Sequence, residues 1–163
     1  MSYLAATGAF APAAVAPTDI ATITGSATKT VVIRRVHFAA ARTAANAQVV
    51  ALIKRSTADT GGTSVAATVV PVDSTNPAGT ATVLAYTANP TVGTAVGTVR
   101  AELVWFGQTA GAGSPPEFKT FDFSDLPEGG LVLRGTAQVL AVSLGGTAAT
   151  GASAQVVFDW IEI

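Results

Sequence analysis

LVLRGTAQVLAVSLGGTAATGASAQVVFDWIEI, residues 131–163, is the stretch whose reading decides the fold. Two apolar runs, 131–144 and 154–163, flank a Gly/Thr/Ala/Ser connection opened by Gly145-Gly146, a pattern that predicts paired antiparallel strands. Leu140, Val142 and Leu144 share one parity, as do Val156, Phe158 and Trp160, and these six predict a dense core face. On the opposite parity Val139 and Ala141 are expected to meet Val157, Ile161 and Ile163, with only Ser143 and Asp159 to make that face polar. A solvated sheet face reads more polar than this. The expectation is therefore an all-β protein, an antiparallel β-sandwich whose outer sheet is partly covered, most simply by a second copy of the chain.

Composition points the same way. The 163 residues suit one domain, large enough to bury roughly 70% of the surface of its unfolded chain. Zero Cys excludes a disulfide framework and any Cys-based zinc or redox site. Nine basic and ten acidic residues leave a net charge of -1, so no overall field draws the chain to nucleic acid or to an anionic membrane. Charged residues make up only 12%, about half the usual fraction, yet no run approaches the ~18 apolar residues of a spanning helix. Such a surface favours self-association, and a homo-oligomeric interface is the economical way to bury it.

Residues 1–18, MSYLAATGAFAPAAVAPT, lack the basic start and sustained apolar run of a secretory signal and read as an N-terminal arm, with the β-domain over 19–163. In KTVVIRRVHFAA (29–40) Val31 and Ile33 lie on one parity and Val36 and Phe38 on the other. A strand returns its apolar set to the same face only through one extra residue, so a β-bulge is predicted at Arg34-Arg35, with two strands meeting at a bend as the alternative. Residues 46–56 read as a strand rather than the Ala-rich helix that propensity would also tolerate. The run 65–72 ends at Pro71 and reads as an edge strand. In 96–106 the set Val99, Ala101, Leu103 and Trp105 alternates cleanly and is expected to face the core, as is Trp160. Phe121 and Phe123 share a parity in the next short strand, and 107–117 is the most prominent loop. Eight to ten short strands with Gly/Pro/Asn/Asp-rich connections predict a sandwich or barrel, with a jelly roll the leading topology.

Catalytic chemistry finds little to work with. The single histidine, His37, lies within a strand, and no Gly-x-Ser-x-Gly elbow supports a set of Ser143, His37 and Asp159. Asp122 and Asp125 flank a turn at a spacing that matches no calcium loop. The pairs Gly61-Gly62, Gly129-Gly130 and Gly145-Gly146 fit hairpin turns, since none belongs to a phosphate-binding motif. Arg34-Arg35 and Lys54-Arg55 are the only basic doublets; opposed to Asp159 and Glu162 they suggest intersubunit ion pairs, or a solvated face. No catalytic residue, metal or cofactor is expected.

KRSTADTGGTS (54–64), PVDS (71–74), AYTANP (85–90), LRGT (133–136) and DWIE (159–162) resemble phrases of small virion proteins encoded in the structural gene clusters of tailed bacteriophages. That resemblance runs from about Asp19 to the C-terminus and implies a jelly-roll capsid decoration (cement) protein on the capsid surface. It further implies a homotrimer, with the phage major capsid protein as partner. Tyr3, Leu4 and Phe10 are then expected to anchor the arm on a neighbour, and Arg34, Arg35, Val139, Val157, Ile161 and Ile163 to line the oligomer or capsid interface. The alternative is a tail- or head-fibre-associated module that recognises a receptor glycan through the 107–117 loop.

Overall fold

The computed structural model describes residues 1–13, 17–108, 115–145 and 151–163. Strands alone, with no helix, make up the regular structure of those residues. In chain order they are β1 (Ser2–Ala6), β2 (Thr18–Thr24), β3 (Thr30–Arg42), β4 (Asn46–Arg55), β5 (Thr63–Ala66), β6 (Val69–Pro71), β7 (Thr82–Ala88), β8 (Ala95–Gln108), β9 (Phe118–Asp122), β10 (Leu131–Arg134), β11 (Val139–Gly145) and β12 (Ala152–Glu162). They form one mixed sheet in the order β5-β7-β2-β11-β4-β8-β3-β12-β1-β6, with β9 and β10 pairing β3 beside that path. The ladder that makes it mixed is the short parallel contact of β3 with β8, Ala41↔Gly107 and Arg42↔Gln108.

The sheet is curled. Consecutive strands β5 and β6 occupy opposite ends of the strand order, yet only Ala67 and Thr68 separate them. Three residue steps span at most about 11 Å, so the two ends of the sheet must lie close together. Two limbs result, β5-β7-β2-β11-β4-β8 and β3-β12-β1-β6, and their inward faces share one core. Val50, Leu52, Val104, Phe106, Leu140, Val142 and Leu144 enter it from the first limb, and Tyr3, Val36, Phe38, Phe121, Leu133, Val156, Phe158 and Trp160 from the second.

β3 is the element around which the second limb is built. One edge of its 13 residues pairs with β12. Its other edge is served in turn by β10 along Thr30–Ile33, β9 along Arg35–Ala39 and β8 at Ala41-Arg42. In the β12 ladder Asp159 faces Arg35 and Trp160 faces Ile33, so Arg34 is the extra residue. The predicted bulge is therefore present. Through it Val31 and Ile33 reach the core before the bulge, and Val36 and Phe38 after it.

Four sequence expectations need correction. Residues 131–144 and 154–163 do not pair with each other: β11 lies between β2 and β4, β12 between β1 and β3, and both send side chains into the one core. Periodicity reports which face is apolar, and it is the same for strands that pair side by side and strands that meet face to face. The first run is also split, because Gly135 at φ 70° turns the chain between β10 and β11. The 65–72 run divides into β5 and β6, both edge strands as Pro71 suggested. Finally, β8 follows the expected phase only at Val99, which packs against the core; beyond a register shift there the phase is reversed, with Val104 and Phe106 buried while Leu103 is 66% and Trp105 42% exposed.

The described part of the expected arm is bound into its own chain. β1 is an internal strand between β12 and β6, and the bridge Phe10↔Ala154 continues the pairing. Tyr3 is buried, stacked on Trp160 with ring centroids 5.9 Å apart, and its hydroxyl donates to the Pro77 carbonyl at 3.1 Å.

Candidate interaction surfaces

Each limb has an outer face, and strand register places its side chains. On the second limb Leu4 stands beside Val70 and Asp159, Asp159 beside Arg35, and Arg35 beside Asp122. The neighbouring rows bring Val157 against His37 and Thr120, Ile161 against Val32, and Gln155 against Ala39 and Phe118. Leu4 is 41%, Phe118 79% and Ile163 71% exposed, whereas Val157 and Ile161 are half-buried. Phe118 borders two depressions, one of about 200 Å³ lined also by His37 and Val157 and one of about 270 Å³ lined also by Ala41 and Pro116.

Charge on this face is satisfied internally. Arg35 Nε donates to Asp122 Oδ2 at 2.9 Å, and Arg35 Nη1 lies 4.0 Å from Asp159 Oδ2. Hydrogen bonds from the Ser124 hydroxyl and N–H, then from Arg35, pull the Asp122 carboxyl down to about 2. The intersubunit ion pairs suggested for Arg35 are thus contacts within the chain. Glu162, the other suggested partner, is buried: its Oε1 accepts from the N–H groups of Thr80, Ala81 and Trp160, and its Oε2 from the Thr80 hydroxyl. Burial alone would raise this carboxyl, but those donors outweigh it and hold the group below the ordinary glutamate range.

The first limb carries a second apolar patch. Ladder register sets Val49 opposite Leu103 and Ala47 opposite Trp105 on the outward side of β4 and β8. Val49 is 41% exposed, which together with Leu103 and Trp105 makes a continuous nonpolar strip. Trp105 also marks the base of the expected loop: its N–H donates to Glu117 Oε2 at 2.9 Å and its carbonyl accepts from the Glu117 N–H at 3.3 Å. Residues 109–114 of that loop lie outside the described residues.

Toward β2 and β11 the same outer face is covered by the chain itself. Val139 is buried, as are Ala141 and Tyr86, all outside the main core cluster. Val139 therefore does not present itself to a partner, contrary to the expectation for it. The cover is the pair of loops 56–62 and 89–94, tied by Ser56 N–H to the Thr94 carbonyl and by the bridge Thr60↔Thr91. Beneath them lies an ionic cluster. Arg55 donates from Nε and Nη2 to both oxygens of Asp19, at 2.5 and 2.7 Å, and from Nη1 to the Gly93 carbonyl at 2.7 Å. Asp59 completes the cluster, with Oδ1 accepting the Gly93 N–H at 2.9 Å. Gly93 has no alternative there, since a Cβ would fall 1.9 Å from the Thr57 carbonyl oxygen.

The polar residues considered for catalysis are engaged separately. His37 Nδ1 lies 2.9 Å from Thr120 Oγ1 on the outer face of the second limb. Ser143 is buried in the first limb and donates to the Thr18 carbonyl at 3.0 Å. Arg34 forms the bulge, its carbonyl accepting the Phe123 N–H. Among the described residues no three His, Cys, Asp or Glu side chains gather around one point as a metal site. Sequence reasoning missed the Val49–Leu103–Trp105 strip because its parity also looked like a core parity, and it missed the buried cluster because Asp19, Arg55 and Asp59 belong to separate segments. Comparison with protein-family models, with curated proteins and with solved structures gives no match.

Proposed function

We propose that this chain is a structural protein that acts by burying its outward apolar faces against other protein surfaces, as a homo-oligomeric capsid decoration (cement) protein of a tailed bacteriophage. The observation that carries the reading is the pair of nonpolar outer faces, Val49, Leu103 and Trp105 on one limb and Leu4, Phe118 and Ile163 on the other. Large apolar side chains at strand positions facing out favour association, and so does a chain with 12% charged residues. The phage assignment rests on the resemblance of the turn phrases. It makes the major capsid protein the second partner, the gaps between capsomers the binding place, and a homotrimer the assembly that suits threefold positions. The curled sheet is read as a jelly-roll sandwich, a reading supported by β11 and β12 being unpaired although adjacent in sequence, while both contribute to one core.

Reconstitution tests this function. Purified chain added to mature phage heads that lack it should bind at saturating lattice stoichiometry and raise their thermal stability, and Leu103→Glu with Trp105→Glu should weaken that binding. No binding to any such head overturns the reading. A fibre-associated glycan-binding module is the second reading, favoured by the exposed Trp105 at the root of the 107–117 loop, where an aromatic face suits a sugar ring. Glycan-array binding that disappears in Trp105→Ala would select it.

A further inference from the structure

Two carboxylates and one guanidinium are enclosed beneath the loops of the first limb. The Arg55, Asp19 and Asp59 side chains are 6%, 0% and 0% exposed. Asp19 takes both strong donations of Arg55, and Gly93 takes the third, so Asp59 is left with Arg55 Nε at 3.7 Å and the Gly93 N–H on Oδ1. No donor reaches Asp59 Oδ2, although that atom is buried. A buried acceptor without a donor is costly, and two carboxylates in contact do not both ionise cheaply. A proton on Asp59 eases both difficulties at once, because a protonated carboxyl no longer repels Asp19 and has a hydrogen to donate within the enclosed cluster.

We propose that Asp19 and Asp59 share a single proton beside Arg55, and that this proton latches the 56–62 and 89–94 loops onto the outer face of β2 and β11. The groups that face Asp59 are Asp19 from β2, Arg55 from β4, the Tyr86 phenol from β7 and the Gly93 N–H from the second loop. Burial first, and then the Asp19 charge, raise the Asp59 carboxyl to about 6, against the lowering effects of Gly93 and Arg55. The folded chain therefore holds a proton that the unfolded chain releases near 3.8. Across that window acidification strengthens the fold, and above about pH 6 the ionised cluster loosens the latch.

Carboxyl ¹³C titration of the full chain, paired with chemical denaturation from pH 4.5 to 7.5, tests the latch. The Asp59 carboxyl should titrate with a midpoint near 6, and the folding constant of the wild-type chain should fall by up to about tenfold per pH unit below that midpoint. Asp59→Asn keeps an acceptor for Gly93 and supplies a permanent donor toward Asp19, so its profile should be flat relative to wild type and its stability at pH 7.5 no lower. An Asp59 midpoint at or below the ordinary aspartate value, or an Asp59→Asn profile parallel to wild type, overturns the proposal. If the variant does not fold, the wild-type carboxyl titration decides alone.

Discussion

Trp160 is fully buried and stacks on Tyr3, whereas Trp105, on an equally regular strand, stands 42% exposed beside Ala47. The two tryptophans should separate in a stability measurement. Trp160→Ala leaves a large cavity in the shared core and should cost about 3–5 kcal/mol. Trp105→Ala removes only a half-exposed cross-strand contact and should cost about 1 kcal/mol or less at protein concentrations where the chain is dissociated. Urea denaturation of both variants checks the contrast, and equal losses would contradict the phase assigned to β8. Sequence could not supply that phase: Val99 packs on the core as its parity suggests, but Ala101, Leu103 and Trp105 of the same parity turn outward, and Val104 and Phe106 are the residues buried there. The parity that looks apolar need not be the inner one when the outer face is nonpolar too.

β3 shows a local rule fixing an element in detail. Its apolar residues change parity at Arg34-Arg35, only an inserted residue reconciles that change with one core, and Arg34 is that residue. Deleting Arg34 should expel either Val31 and Ile33 or Val36 and Phe38, each large side chain worth about 1.5–3 kcal/mol when buried. Total stabilities are about 5–15 kcal/mol, so the deletion should remove a large share of the stability and lower the melting temperature sharply, while Arg34→Ala should leave it nearly unchanged. Circular dichroism melts decide between these outcomes. β11 and β12 show the opposite case. Their inward faces were legible, with Leu140, Val142, Leu144, Val156, Phe158 and Trp160 all buried, but their neighbours were not. Pairing partners come from distant segments, and the alternation of side chains carries no record of which backbone lies alongside.

At the scale of the whole molecule, two faces keep large nonpolar side chains exposed after the chain has folded, and β1, part of the arm expected to reach a neighbour, is spent on its own sheet. The proposed association then uses strand faces rather than the arm. Light scattering on the purified chain should give a multiple of 16.2 kDa, and Leu103→Glu with Trp105→Glu should lower that mass without lowering the melting temperature of the dissociated chain. A wild-type mass of one chain at micromolar concentration would contradict the assembly. Sequence by itself determined the all-strand character, the parity change in β3, the edge position marked by Pro71 and the inward faces of β11 and β12, because each follows from side-chain alternation and backbone sterics over a few residues, while the structure chose the bulge over a bend in β3. Only the tertiary structure decided the strand order, the burial of Tyr3 and Val139, the outward turn of Leu103 and Trp105 and the meeting of Asp19, Arg55 and Asp59. Those features depend on which distant segments curl together, and no short window of residues contains that information.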